Sequence, residues 1–125
     1  MNARSIVLSL AFACTLVACK PSAPAAPLPA ASRAQEMYSS RCVACHGPQG
    51  RGDGAAAAGL TPRPRDFADP SWHARATDEH LRRILVGGGS AVGLSGMMPP
   101  NPELATDTAL RDALVAHVRT LMQRR

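Results

Sequence analysis

The chain has 125 residues, a formal net charge of +5 and a mean hydropathy of -0.07, which is enough for one small domain and too little for two. Its four aromatic residues, Phe12, Tyr38, Phe67 and Trp72, are few for a core of ordinary composition, so a bound cofactor supplying apolar bulk is expected. The basic residues are nearly all arginine and form no run beyond Arg124-Arg125. With so little aromatic surface for base stacking, that pattern argues against a nucleic-acid partner.

The first element is a leader. Arg4 gives a positive start, and the apolar stretch from Ile6 to Val17 is too short to span a bilayer comfortably. Leu16-Val17-Ala18-Cys19 at its end resembles the lipobox of bacterial lipoproteins. That resemblance implies removal of residues 1–18 and a lipid on Cys19, with attachment to a membrane. An ordinary secretory signal cut elsewhere and an uncleaved anchor are the alternatives. Either cleavage leads to an exported protein on the periplasmic side. Lys20, where some inner-membrane lipoproteins have aspartate, leans towards the outer membrane. Cys14 falls inside the leader, so no cysteine pair remains for a structural disulfide once Cys42 and Cys45 are assigned below.

Residues 19–31 form a tether. Lys20 to Ala31 holds four prolines, which forbid a helix and favour an extended chain. At ~3.1 Å per residue it reaches some 30–40 Å from an anchor. Residues 32–125 form the domain. Ser32 and Gln35 have capping-box spacing, and Ala34, Met37, Tyr38 and Cys42 recur at helical spacing, so the first helix is expected over about 33–45.

That helix ends in Cys42-Val43-Ala44-Cys45-His46. Cys-x-x-Cys-His is the attachment signature of one c-type haem. Two thiols one helical turn apart reach one edge of a porphyrin and add across its vinyl groups, and the next residue, His46, offers the iron an imidazole nitrogen. A zinc site would need two further ligands, usually a second close pair, and Cys19, His73, His80 and His117 are scattered. A thioredoxin-like dithiol would need strands, and no strand-period segment is present.

Five glycines between Gly47 and Gly59 read as a loop, and Pro62 and Pro64 keep the next stretch extended to Phe67. Asp69-Pro70 reads as a turn. Thr77 is placed to cap a second helix carrying Leu81, Ile84 and Leu85, ended by Gly87-Gly88-Gly89. Ser90 to Pro102 reads as a loop holding Met97 and Met98 before Pro99-Pro100. A thioether is the second axial ligand that suits electron transfer. Met98, stiffened by the prolines, is the choice, with Met97 as the alternative. Thr106 is expected to cap the last helix, whose apolar face is Leu110, Ala113, Leu114, His117, Val118 and Leu121. The fold class is therefore all-α, with three main helices and long loops around one covalent haem.

From residue 32 to 125 the chain resembles the small class I, mitochondrial-type, monohaem cytochromes c. The likeness rests on Tyr38 before Cys42, on CVACHG, on the Met-Pro-Pro loop and on LRDALVAHVRTLM. It is nearest to bacterial forms in which CHGPxGxGDG is followed by Pro-x-Pro-x-Asp-Phe, here Cys45 to Gly54 and Pro62 to Phe67. The resemblance implies that the first and last helices cross, with Ala34 at a position usually held by glycine. His117 stands where tyrosine is common, which puts the interhelix aromatic contact in doubt and leaves a core histidine as its expected state. It implies a backbone carbonyl that orients the proximal imidazole, for which Pro62 is the candidate. It also implies propionate ligands, for which Trp72, Arg63, Arg65 and Arg75 are candidates.

The expected function is a membrane-tethered carrier of single electrons, not an enzyme by itself and without a small-molecule substrate. Its partners are redox proteins; with Arg4 removed the charge of +5 becomes +4, and acidic docking surfaces on the partners would suit it. The other readings are an electron-entry subunit of a larger oxidoreductase, an open-site haem enzyme or gas sensor, and a structural lipoprotein with an accidental motif.

Overall fold

The computed structural model describes residues 26–123. The leader, Cys19 and the first part of the tether lie outside the described residues. The described residues form five α-helices: α1 (Ala30–Met37), α2 (Val43–His46), α3 (Pro70–His73), α4 (Asp78–Gly87) and α5 (Thr108–Met122). Among the described residues there is no strand, and no helix is long and apolar enough to cross a membrane. The chain is all-α, as expected, and the three main helices are α1 continuing into α2, α4 and α5.

Two helix starts differ from their sequence-based positions. Residues Ala30 and Ala31, assigned to the tether, already belong to α1. Pro29 is extended (φ -52°, ψ 145°) and its carbonyl accepts from the Arg33 amide at 3.1 Å. Two alanines, the best helix formers, then carry the first turn. Ser32 lies inside that turn, exposed, and makes no cap. α5 starts one residue later than expected: Asp107, not Thr106, is its cap, and the carboxylate accepts from the Leu110 amide at 3.0 Å. The Thr106 hydroxyl donates backwards to the Glu103 carbonyl instead.

α4 begins and ends as its sequence indicates. Thr77 accepts from the His80 amide at 3.1 Å, Asp78 and Glu79 face the positive end of the helix dipole, and Gly88 turns the chain out at φ +71°. The Asp69-Pro70 pair is more than a turn. Asp69 accepts from the Ser71 amide at 2.9 Å and starts α3 with proline in its first turn.

The helices α1 and α5 make the most extensive pairing, and α4 packs on α5. Ala34, fully buried, sits in the core with Met37 and Tyr38 against Leu110, Leu114, Val118 and Leu121. Leu81 and Leu85 enter from α4, and Leu104, also fully buried, from the short turn Pro102–Ala105. Val115 and Met122 are buried as well, so the apolar stripe of α5 is wider than the single face read from spacing. The interhelix aromatic contact is present: the rings of Tyr38 and His117 lie 4.8 Å apart at 58°. An imidazole fills the tyrosine position and keeps the tilted contact.

Ion pairs close the outside of this assembly. Arg33 pairs with Asp107, and Arg82 reaches Asp112 at 2.9 Å. Hydrogen bonds from these arginines hold the Asp107 and Asp112 carboxyls below the usual aspartate range. A depressed folded pKa contributes stability that is present above the unfolded value and is lost as pH falls through the folded one. Thermal midpoints of the holoprotein are therefore expected to fall as pH is taken from 7 to below 4, and less so for an Asp107→Asn, Asp112→Asn double variant. Ala34→Leu, which adds bulk where α1 meets α5, is expected to cost about 1–3 kcal/mol in urea unfolding.

Candidate functional site

The motif helix α2 is joined to α1 by one π-helical turn, Tyr38–Cys42. The Val43 amide donates to the Tyr38 carbonyl, a bond five residues long. The hydroxyls of Ser39 and Ser40 both donate to the Glu36 carbonyl, at 2.9 and 2.8 Å, which favours a locally bent and loosened helix. This turn carries Arg41 outwards and leaves Cys42, Cys45 and His46 partly buried, with both cysteines as free thiols.

A four-residue helix has all four carbonyls without partners of its own. Here each one is satisfied by the glycine-rich stretch that follows. The Val43 carbonyl accepts from the Gly47 amide at 2.9 Å, Ala44 from Ala56 at 2.8 Å, Cys45 from Gly54 at 3.2 Å and His46 from Gly52 at 2.9 Å. Two glycines are required for this. Gly52 turns at φ +69° with the Pro64 carbonyl against it, and a side chain at Gly54 would run into the carbonyls of Val43 and Ala44. The Tyr38 hydroxyl adds a bond to the Gly47 carbonyl at 2.8 Å, and burial pushes its pKa above the usual range. The stretch read as a loop is thus the cap of the motif helix.

His46 is held from the side. Its ring stacks on Phe67 at 4.8 Å and 22°, and Phe67 stacks on Trp72 at 5.3 Å and 21°. Phe67 is fixed in turn by its amide bond to the Gly50 carbonyl at 2.7 Å, and its carbonyl meets Nε2 of His73. Phe67 was not singled out from the sequence; its place in the Pro-x-Pro-x-Asp-Phe segment was the available signal. Burial lowers the His46 pKa, and the backbone of Arg65 opposes that shift. Nδ1 is buried, and no hydrogen bond of good geometry closes on it. The backbone group facing the imidazole is therefore that of Arg65. Pro62, the residue expected there, is exposed.

Burial pushes the Cys42 thiol up, against the pull of Arg41 and with help from Cys45. A raised thiol pKa disfavours the thiolate that disulfide exchange needs. Among the described residues no three His, Cys, Asp or Glu side chains come together, so the two thiols lack the further ligands that zinc needs. A half-buried dithiol and a partly buried imidazole with an enclosed Nδ1 beside a backbone segment do fit a covalent haem, for which Nε2 would be left to face iron.

The methionine loop is pinned to the end of α4. The Gly89 amide donates to the Met98 carbonyl at 3.0 Å. A side chain at Gly88 would meet that carbonyl at 2.6 Å and the Pro100 nitrogen at 2.8 Å. Asn101 donates from its side chain to the Leu85 carbonyl at 2.9 Å and from its amide to the Val86 carbonyl at 3.1 Å, satisfying carbonyls of the last turn. Arg41 reaches across from the motif side to Asn101 and Glu103. Met98 is half-buried in this frame, whereas Met97 is 63 % exposed.

The propionate candidates divide. Trp72 belongs to the aromatic stack, Arg65 pairs with Asp69 at 3.9 Å, and Arg63 and Arg75 are exposed. Cys19 lies outside the described residues. Gly88→Ala is expected to lose about 1–3 kcal/mol of stability in chemical denaturation of the holoprotein, because φ +71° and the Met98 backbone both exclude a side chain.

Comparison with known proteins agrees with this geometry. The family Cytochrome c matches residues 31–122. A solved structure, KustC0563 c-type cytochrome, is similar at 29% identity and a TM-score of 0.53, covering 70% of this chain and 95% of that one. No match was found among curated proteins. With the match running from α1 through α5, the chain belongs to the cytochrome c family and carries covalently attached haem c.

Proposed function

We propose that the protein is a monohaem electron carrier in which Cys42 and Cys45 hold the haem, His46 is the proximal ligand and Met98 the distal one. The observation that carries the reading is the setting of His46: partly buried, stacked on Phe67, with Nδ1 enclosed by protein, next to two free, half-buried thiols. Haem supplies a one-electron ferric/ferrous couple when bound. The rest is the work of the chain. The π-helical turn and capped α2 together present the thiols and the imidazole, Phe67 restrains the ring, and the α4 terminus and Asn101 hold the backbone of Met98. A closed six-coordinate site of this kind leaves no position for a substrate, which supports a carrier and not an enzyme. Met98 is preferred to Met97 because it is half-buried where Met97 is exposed, and because its carbonyl is tied to Gly89.

The protein is further proposed to be exported and tethered on the periplasmic side through a lipid on Cys19, with residues 1–18 removed. The support is in the sequence: an apolar stretch ended by Leu-Val-Ala-Cys, then a proline-rich spacer. In the same reading Lys20, in place of aspartate, leans weakly towards the outer membrane. Its partners are redox proteins. Acidic docking surfaces on those partners would suit the net charge of +4 that remains once residues 1–18 are removed.

Absorption spectra of the holoprotein test the ligand set. A weak red sulfur-to-iron band in the ferric form, lost in Met98→Ala and kept in Met97→Ala, is expected, with no carbon monoxide shift in the wild type. Ready carbon monoxide binding by the wild type would replace the carrier with an open-site enzyme or sensor. Cys19→Ser is expected to move the protein from the membrane to the soluble fraction; a membrane-bound variant would remove the lipid anchor.

A further inference from the structure

The imidazole of His46 lacks one common restraint. Its Nδ1 is buried and closes no hydrogen bond of good geometry, so no such bond fixes the rotation of the ring about its Cβ–Cγ axis. Contact on the ring face takes over that task. Phe67 supplies it, and Phe67 is itself held. It is 7% exposed, its amide donates to the Gly50 carbonyl at 2.7 Å, and its ring lies so close to Gly50 that a side chain there would meet it at 2.5 Å. Its second ring contact is Trp72, at 5.3 Å and 21°, beside 4.8 Å and 22° to His46. Three rings, near-parallel at each step, thus connect His46 with α3, and Phe67 is the common member of both pairs.

α3 delivers this contact. Asp69 caps it, Pro70 sets its first turn, and its last two residues both engage Phe67: Trp72 meets the ring, and His73 Nε2 donates to the carbonyl. The other hydrogen bonds of the segment are short-range. The Trp72 and His73 amides donate to the Asp69 carbonyl at 3.1 and 3.2 Å, and those of Arg75 and Ala76 to the Trp72 carbonyl at 3.0 and 2.9 Å. Among the described residues its hydrogen-bonded tie to α5 is the Arg119 guanidinium on the Ala76 carbonyl, beyond the helix. Between α3 and the end of α5 lies a cleft of about 420 Å³, lined by Pro70, His73, Arg119 and Met122 among others. The helix is therefore not seated flush on α5, and Trp72 is the residue of α3 that packs against the core.

We infer that α3 is a clamp on the proximal side and that Trp72 is a positioning residue: through Phe67 it sets the plane of the His46 imidazole and keeps water from Nδ1. The inference rests on the proposed ligation by His46. Outer contacts that orient a ligating imidazole and control the access of solvent also tune the potential of the metal. Water admitted beside His46 favours the more positive, ferric state and so lowers the potential. Trp72, by excluding it, raises the potential. The indole acts by its face alone, and no bond forms or breaks in this role.

The holoprotein is compared with Trp72→Ala and Trp72→Phe by potentiometry and NMR. In the ferric form the hyperfine-shifted signals report the direction of the axial imidazole plane, and the exchange rate of the His46 Nδ1–H reports its enclosure. Trp72→Ala is expected to move the shifted signals and to speed Nδ1–H exchange by about tenfold. It is also expected to favour the ferric form by about tenfold, a fall of about 59 mV for one electron. Trp72→Phe, which keeps a ring without the indole N–H, is expected to restore all three. The Leu114 amide in the core of α5 is expected to exchange within about threefold of wild type in both variants. Where Trp72→Ala fails to fold, Trp72→Leu, which keeps apolar bulk without a ring, is read in its place. Unchanged signals, exchange and potential overturn the inference. So does a Leu114 amide that speeds as much as Nδ1–H, which makes Trp72 plain core. Failure of Trp72→Phe to restore the wild-type values assigns the effect to the indole N–H and overturns the clamp as well. A wild type without hyperfine-shifted His46 signals overturns the His46 ligation and the inference together.

Discussion

Everything around the motif depends on how a one-turn helix satisfies its own end. Residues Val43–His46 are too few to share hydrogen bonds among themselves, and they must nevertheless hold the Cys45 thiol and the His46 imidazole in fixed directions, with Cys42 just before them at the end of the π-helical turn. The chain solves this by folding its next ten residues back over the helix terminus. Amides of Gly47, Gly52, Gly54 and Ala56 take the four open carbonyls, one each. The same fold-back brings Gly50 under Phe67 and Gly52 under Pro64, so the cap also delivers the aromatic ring and the Arg65 backbone to the flank of His46. Capping and positioning of the imidazole are one arrangement.

The distal side follows the same economy from the other direction. α4 ends in glycines, which lets Gly88 and Gly89 come close enough to receive the Met98 and Pro100 backbone. Asn101 then closes two carbonyls of the last turn. Arg41, one residue before Cys42, reaches Asn101 and Glu103 and so links the element that carries the thiols with the element that carries the methionine. Helix termini, normally places of unmet hydrogen bonds, are here the points at which both halves of the site are fastened.

This division explains what could be read in the sequence. The five-residue motif, the methionine before two prolines, the Thr77 cap and the stripe of α5 are local patterns, and local chemistry specifies them. The start of α1 was misplaced because Ser32 offered a capping box where Pro29 had already supplied an extended residue and a carbonyl acceptor. The role of the glycine run could not be seen because its partners are carbonyls, which every residue has. Phe67 and the Arg65 backbone meet His46 only through tertiary structure, and the resemblance to the family pointed to Pro62 instead. His117 illustrates the reverse: a substitution that cast doubt on a contact preserves it, since an imidazole edge meets the Tyr38 ring as another aromatic ring would.

The π-helical turn before the motif has a consequence for chain length. Each residue of an α-helix advances the azimuth by ~100°, so one extra residue in a turn rotates everything beyond it by that amount relative to what came before. On the α1 side, Ala34, Met37 and Tyr38 define the face buried against α5. On the α2 side a different face carries the thiols and His46. Ser39 and Ser40 are exposed and bond only backwards to α1 carbonyls in the interactions described, which would ordinarily mark them as freely removable. They are instead the phase offset between packing and chemistry. Exchange of either serine for another residue is a small change; removal of one would swing the motif about a quarter turn while α1 stayed docked, making the length of this segment more constrained than its composition.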